Sequence, residues 1–309
     1  MQGRGQFEVL WNAQDIDSFV KEESTSEELK AKILLIEEVK SFASTELGLE
    51  SQALYTRIYN QEDKDILWNV SACEPHALKS VEWTFPIVGS VSYKGFFDLD
   101  RARQEEQALK KKGFDTRIRP VNAWSTLGWF PDPILSNNLK RSVGGVAELF
   151  IHEITHANVF FKDSLTFNEN LASFIGEQGA KLFLVKKYGR DSEEFMTYAN
   201  SERDAQLFIS HCLNGISALD SLYNTFNSDL SIAKKDSLKK AYMITWVAQL
   251  DSIPFFNNEI YHSRFEKDLP NNAFFMAFER YDSKKEAFGN QLTAEFEGDL
   301  KAFINFYKK

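Results

Sequence analysis

The stretch from Val146 to Phe160 constrains the fold most, because its apolar residues lie on nearly every side of the helix that their spacing predicts. A helix that is apolar all round belongs in the core of a sizeable protein. The same stretch nevertheless carries His152, Glu153 and His156. Polar groups buried in this way need a partner that offsets their lost hydration. The sequence therefore predicts a buried helix with a polar site in its middle.

Residues 152–156 read HEITH, an HExxH motif. Residues four apart lie on one face of a helix, so the imidazoles of His152 and His156 can reach one metal ion. Glu153 lies one residue round from that face, where it can act on a water molecule beside the metal. The alternative interpretation is a core helix whose histidines hydrogen-bond with backbone or carboxylate groups.

A zinc site with two histidines needs a third protein ligand and leaves one position open to water. Glu169 follows His156 after a short connection, and Asn168 is a typical N-cap, so we expect a helix to begin there with Glu169 in its first turn. An antiparallel pair of buried helices would bring Glu169 beside both histidines. The alternative is a carboxylate that only interacts with the helix dipole.

In most of the remaining chain the apolar residues recur at helical spacing. Only 7 Pro and 15 Gly occur in the 309 residues, which favours long helices. Val, Ile and aromatic residues broken by Pro and Gly predict a small sheet near residues 81–125. The predicted fold class is therefore α+β, mainly α-helical. Helices are predicted over 17–46, 51–66 and 100–112, and from about residue 142 onward.

The charge balance excludes one class of partner. Lys and Arg number 36 and Asp and Glu 45, a net charge of −9 with no basic stripe, which is unfavourable for nucleic-acid binding. No apolar run reaches the length of about 18 residues that a transmembrane helix needs. Cys73 and Cys212 either pair or remain free thiols, and both alternatives stay open.

The sequence around the motif resembles that of a known group of enzymes. HEITH followed by NENLA resembles the HExxH…NExxA signature of gluzincin metallopeptidases, and the short spacing is similar to that of the bacterial family called predicted aminopeptidases. Ile154-Thr155 and Asn170-Leu171 depart from the usual Leu-Ala and Ser-Phe, at positions that touch no ligand. Further segments resemble that family in the same order: GRGQFEVLW, SYKGFFDLDRARQEEQALKKKGFDT, AWSTLGWFPDPILS and LPNNAFFMAFERYDSKKEAF.

The resemblance covers almost the whole chain, and it implies a single gluzincin-like metallopeptidase unit over residues 1–309. The implied parts are N-terminal helices 1–80, a small sheet and edge region 81–136, zinc-binding helices 142–190 and a C-terminal helical part 191–309.

The resemblance also implies one Zn²⁺ per chain, held by His152, His156 and Glu169. Glu153 is then the general base that takes a proton from the attacking water and passes it to the leaving amine. The implied activity is peptide hydrolysis, as an aminopeptidase. No acidic anchor for the free ammonium group of a substrate can be identified in the sequence.

Three further residues are expected to assist. Tyr281 ranks ahead of Tyr261 and His262 as the donor to a tetrahedral oxyanion, because it lies in the family-like C-terminal segment. Gly128 and Trp129 lie in a stretch that can pair with the substrate backbone and wall a side-chain pocket. The alternatives are tyrosines packed in the core and an aromatic turn that caps it.

Two other functions stay open at this point. The chain can be an endopeptidase, or a non-catalytic envelope binding protein on a gluzincin-like scaffold. Members of the family often carry a lipoprotein signal before a GQLELL stretch, which GRGQFEVLW resembles here. We therefore expect a leader with a lipid anchor to have been removed, and the protein to lie in the bacterial cell envelope. A cytoplasmic location is the alternative.

Overall fold

The computed structural model describes residues 8–23, 25–85, 89–121, 133–162, 164–278 and 285–308. It is mainly helical with small sheets, which confirms the α+β class. The helices are α1 Ile16–Val20, α2 Glu27–Thr45, α3 Leu99–Lys111, α4 Val143–Asn158, α5 Leu165–Tyr188, α6 Glu193–Asn224, α7 Ile232–Ala248, α8 Asn258–His262, α9 Asn272–Phe275, α10 Lys285–Phe296 and α11 Leu300–Tyr307. The strands are β1 Gln14–Asp15, β2 Arg57–Tyr59, β3 Trp68–Cys73, β4 Trp83–Phe85, β5 Gly89–Val91, β6 Lys94–Phe96, β7 Asp115–Pro120 and β8 Ile134–Leu135.

The chain divides into two compact units that are each built from separated stretches. Helix α6 begins in unit 1 and continues in unit 2. The sequence-based division of one metallopeptidase unit into four consecutive parts stays a prediction. Unit 1 comprises Met1–Asp65, Asn122–Ala199 and Asp282–Lys309, and unit 2 comprises Ile66–Val121 and Asn200–Tyr281.

Helices α4 and α5 form the centre of the core of unit 1. Val146, Ile151 and Ile154 of α4 have no exposed surface, and neither do Ile175 and Leu184 of α5. Helices α2, α10 and α11 add further buried side chains to the same cluster. Burying an aliphatic side chain of this size contributes about 1.5–3 kcal/mol to folding. The all-round apolar character of α4 is thus explained by its central position in this unit.

A small sheet in unit 1 corrects one helix prediction. Strand β2 pairs antiparallel with β1 and parallel with β8, where Ile58 and Ile134 are opposite each other and buried. The prediction of a helix over 51–66 is therefore wrong. Tyr55 and Glu62, on either side of β2, have φ of 55° and 47°, a conformation that a right-handed helix does not contain.

The helix predicted over 17–46 is two helices, α1 and α2. The side chain of Ser26 accepts a hydrogen bond from the backbone N–H of Leu29, which starts α2 with an N-cap. The hydroxyl of Thr25 donates to the backbone carbonyl of Phe19 and holds the intervening turn against α1. These two short polar side chains divide what reads as one amphipathic stretch.

Unit 2 contains an antiparallel sheet in the order β6-β3-β7. One face carries Val70 and Ala72, which pack with Ala102 and Leu109 of α3. The sheet begins at Trp68, so it extends further towards the N-terminus than the predicted region 81–125. A separate cluster around Trp246 joins α6, α7 and α9.

Both cysteines lie in unit 2 and are buried free thiols, so they do not pair. Burial raises the pKa of each thiol to about 12. Among the helices of the described residues, none combines the length and the apolarity that a membrane span requires.

Candidate metal site

Helix α4 presents the two histidines on one face, as the HExxH spacing predicts. The Nε2 atoms of His152 and His156 lie 3.1 Å apart, and both side chains are about four-fifths buried. Ser142 begins the helix by accepting a hydrogen bond from the N–H of Gly145. Asn158 ends it, because its amide exchanges hydrogen bonds with the backbone of Glu50. The histidines therefore lie on a helix that is fixed at both ends.

Helix α5 brings Glu169 to the histidines. Its carboxylate oxygens lie 3.7 Å from the Nε2 of His152 and 3.4 Å from the Nε2 of His156. The helix begins at Leu165, so Glu169 lies in the second turn rather than the first. A carboxylate at this depth is beyond the free N–H groups of the helix start, which weakens the helix-dipole alternative.

Asn168 is not the N-cap that the sequence suggests, because the N-cap position is occupied by Ser164. The buried Asn168 amide instead accepts a hydrogen bond from the N–H of Phe161 and donates one to its carbonyl. This reciprocal pair ties the connection between α4 and α5 to the turn that carries Glu169. It therefore fixes the position of the turn that carries Glu169 relative to the end of α4.

Two glycines allow α4 and α5 to approach closely. A Cβ on Gly176 would lie 2.9 Å from the backbone oxygen of Glu148 and 3.1 Å from the Cβ of His152. A Cβ on Gly179 would lie 3.0 Å from the side chain of Ile151. Larger residues at these positions would push α5 away from the helix that carries the histidines.

The spacing of the ligand atoms suits a small tetrahedral metal ion. A tetrahedral zinc site with bonds of about 2.0–2.2 Å holds neighbouring ligand atoms about 3.3–3.6 Å apart. The separations here are 3.1 Å between the two nitrogens and 3.4 and 3.7 Å from nitrogen to oxygen. His152, His156 and Glu169 are the described His, Cys, Asp and Glu residues that converge closely enough to hold an ion.

The pKa values of the two histidines are shifted in opposite directions. Burial, with the neighbouring charge of His156, lowers the pKa of His152 to about 4, so this ring is neutral at pH 7. Burial also acts to lower the pKa of His156, but the hydrogen bond and charge of Glu169 outweigh it and raise that pKa. The histidines in turn hold the pKa of Glu169 below its ordinary value, although burial opposes this.

Glu153 is partly buried on α4, next to His152. Its negative charge also contributes to the raised pKa of His156, which places the carboxylate within electrostatic reach of the cluster. Two histidines on one face of α4, Glu169 on α5 and the carboxylate of Glu153 beside them form an arrangement that can bind a metal ion and accept a proton next to it.

Comparison with known proteins identifies the family of the chain. The model of a family described as "Putative aminopeptidase" matches residues 1–309, the whole chain. The chain belongs to this aminopeptidase family. No curated protein and no solved structure matches it.

Two polar contacts beside the candidate metal site of this family member are not among the sequence predictions. The hydroxyl of Ser173 lies 3.4 Å from the Nδ1 of His152. The hydroxyl of Tyr198 donates to Glu148 over 3.1 Å. Helical spacing is the signal that could have found both positions, because Ser173 lies four residues after Glu169 and Glu148 four residues before His152.

The other predicted site residues of this family member either lie outside the described residues or belong to unit 2. Gly128, Trp129 and Tyr281 lie outside the described residues. Tyr261 belongs to unit 2, where its ring stacks on Phe255. His262, also in unit 2, lies 3.3 Å from a carboxylate oxygen of Asp251 and 3.3 Å from the Leu250 carbonyl. The roles suggested for Tyr281, Gly128 and Trp129 stay predictions.

Proposed function

We propose that this member of the aminopeptidase family is a zinc-dependent peptide hydrolase of the gluzincin type that acts as an aminopeptidase. The observation that carries the proposal is the convergence of His152, His156 and Glu169 at spacings that suit a tetrahedral ion, with Glu153 beside them. The family supports the aminopeptidase activity, and the chemistry of the ligand atoms supports the metal.

The donor set fits zinc. Two imidazole nitrogens and one carboxylate oxygen are ordinary zinc ligands in hydrolases, and three protein ligands leave a position for water or substrate. The low pKa of His152 keeps its ring neutral, which is the form that binds a metal. A bound zinc ion would supply Lewis acidity, which polarises the scissile carbonyl and lowers the pKa of water.

Side chains of the protein would then carry out the proton transfers and orient the ligands. Glu153 is the general base that removes a proton from the attacking water and delivers it to the leaving amine. Ser173 holds the Nδ1 side of His152, so the Nε2 side stays directed towards Glu169.

A carboxylate for the substrate ammonium group is available at Glu148. It lies one helical turn before His152 on the same face of α4, so the two Cβ atoms are about 5–6 Å apart. Its Oε2 accepts a hydrogen bond from Tyr198, whose ring packs against Gly144 and is buried. The α-amino group of a peptide is two bonds from its scissile carbonyl carbon, so a carboxylate one turn from the ligand suits that group. We assign Glu148 as the acidic anchor of the aminopeptidase.

The first experiment measures zinc and turnover together. Glu153→Gln should bind about one zinc per chain and lose about 10²- to 10⁴-fold in kcat on a peptide panel. His156→Ala should lose the zinc itself. Glu23→Gln replaces an exposed carboxylate of the same unit and should leave both quantities unchanged.

Two results would contradict this proposal. Unchanged turnover in Glu153→Gln would show that another group is the base. A wild-type protein without zinc and without hydrolysis would favour the non-catalytic envelope binding protein.

The second experiment separates an aminopeptidase from an endopeptidase. Wild type should cleave peptides with a free N-terminus and spare their N-acetylated counterparts. Glu148→Gln keeps an oxygen that can accept from Tyr198 but loses the charge, so KM for free peptides should rise about 10- to 100-fold. Equal cleavage of free and acetylated peptides would indicate an endopeptidase, whatever the role of zinc.

A further inference from the structure

Strand β7 of unit 2 carries two arginines on one face. Arg117 and Arg119 are two residues apart, so their side chains point to the same side of the sheet. The residues opposite them on β3 are Ser71 and Asn69, respectively. Apolar side chains that pack with α3 occupy the other face. The face with the arginines also carries Asp115, which pairs with Lys239 and accepts the N–H of Asn272 in α9. Helix α9 therefore covers one end of this face, and the end at Asn69 and Arg119 carries the exposed guanidinium.

Arg264 adds a third guanidinium group from the short 3₁₀ helix Ser263–Phe265. It lies over the ring of Phe208 at 4.9 Å, and Arg117 lies over the ring of Phe274 at 4.9 Å. The centroids of these two rings are 6.4 Å apart. A guanidinium group that stacks on an aromatic ring still has N–H groups at its edge for hydrogen bonding. The shared aromatic cluster therefore positions Arg117 and Arg264 as donors.

These three arginines lack an acidic partner within the part of the chain that the structure describes, although the chain has 45 acidic residues. Asp204, an acidic residue in the region of Arg264, instead accepts the backbone N–H groups of Phe256 and Asn257. Burial and then the positive charges of Arg119 and Arg264 lower the pKa of Arg117 to about 10. A partly buried guanidinium beside two like charges is costly unless an anion joins it.

We propose that Arg117, Arg119 and Arg264 form a binding site for a phosphate-type dianion. Arginine recognises the oxygens of phosphate with paired hydrogen bonds, and three guanidinium groups can contact all sides of a tetrahedral anion. A dianion compensates two of the three charges, whereas a carboxylate compensates one. The same chemistry is offered by a soluble phosphate and by a phosphomonoester headgroup on a lipid surface. The site lies within unit 2 and is independent of the proposed zinc chemistry.

The test is calorimetric titration of the full chain with inorganic phosphate at constant ionic strength, with acetate as the monoanion. Phosphate should bind saturably, and acetate at least about tenfold more weakly. Arg117→Gln and Arg119→Gln should each weaken phosphate binding about tenfold or more, because each loses a charged hydrogen bond. Arg103→Gln changes an exposed arginine of the same unit that pairs with Asp100, and it should leave phosphate binding unchanged.

A second arm identifies the source of the anion. Vesicles that contain phosphatidic acid should bind the wild type more tightly than inorganic phosphate does if the ligand is a lipid headgroup, and no more tightly if it is a soluble phosphate. Absence of saturable phosphate binding would overturn the proposal. Equal binding by wild type and Arg119→Gln would overturn it as well, and this exposed position guards against a folding defect in Arg117→Gln.

Discussion

The environment of His152 shows how single side chains define the proposed metal site. One ring nitrogen lies beside Glu169 and the other beside Ser173, so both nitrogens have a partner on α5. A hydrogen bond on one side of an imidazole sets which nitrogen is available as a ligand. The proposed zinc ligands could be predicted from the sequence because their spacing is local and specific. Ser173 carries only the weaker signal of its place four residues after Glu169, and its contact with His152 forms only once α5 packs against α4.

Ser173→Ala tests this orientation. Loss of the hydroxyl removes the partner of the His152 Nδ1, so zinc affinity should fall about 10- to 100-fold. Competition with a chromogenic chelator measures the affinity. Ser217→Ala, at an exposed position on α6, is the control and should have no effect. Unchanged affinity in Ser173→Ala would show that the ring is held by packing alone.

A second residue-scale prediction concerns Glu177, whose buried carboxylate pairs with Lys181 at 2.5 Å and Lys285 at 3.0 Å. Burial acts to raise the pKa of Glu177, but the two lysines outweigh it and lower that pKa below its ordinary value of 4.5. The folded state therefore binds this proton less readily than the unfolded state. The stabilisation is fully present above the unfolded pKa and is lost as pH falls towards the folded one.

Glu177→Gln should accordingly lower the free energy of unfolding at pH 7 by about 1–3 kcal/mol. Urea unfolding measures the change. The difference between wild type and variant should shrink when the titration is repeated below pH 4.5. A difference that is constant from pH 7 to pH 3 would show that the lysine pairs do not contribute.

At the scale of elements, the sequence predicts what local patterns dictate. The apolar periodicity of α4, the charged face of α3 with its end at Gly113 and the alternation of β7 all have counterparts in the structure. The start of α5 and the strand β2 do not follow from local patterns. Asn168 looks like an N-cap but bonds to the backbone of Phe161 in the preceding connection. Strand β2 forms because β8 pairs with it, as Ile58 does with Ile134.

The close crossing of α4 and α5 yields an element-scale prediction. Gly176→Ala would place a Cβ 2.9 Å from the Glu148 carbonyl, so the helices must separate. We expect a loss of about 1–3 kcal/mol in the free energy of unfolding and weaker zinc binding, because Glu169 moves away with α5.

Gly289→Ala on α10 is the matched control, since its Cβ would meet nothing nearer than 4.0 Å. Alanine has a higher helix propensity than glycine, so this variant should be neutral or gain up to about 1 kcal/mol. Thermal unfolding and zinc titration of both variants measure these effects. Equal stability of the two would mean that the crossing adjusts without cost.

At the scale of the whole molecule, the proposed metal ligands all belong to unit 1, while unit 2 has its own cores. A metal that binds only the folded state adds stability by mass action, about 4 kcal/mol at a thousandfold excess over Kd. Metal binding should therefore stabilise, against local unfolding, the segments that must be folded for the ligands to meet.

Hydrogen exchange measured by mass spectrometry should therefore slow on zinc addition in peptides from 143–188 and accelerate again after chelation. Peptides from α7 in unit 2 should exchange at the same rate in both states. Uniform changes over the two units would show that they open together.

The two buried thiols of unit 2 also make it possible to time its opening. With Cys73 and Cys212 as the only cysteines of the chain, both shielded and with pKa values near 12, a thiol reagent can modify only molecules in which that unit has opened. The rate of thiol modification, followed by absorbance, therefore reports the opening of unit 2 without labels or added tags.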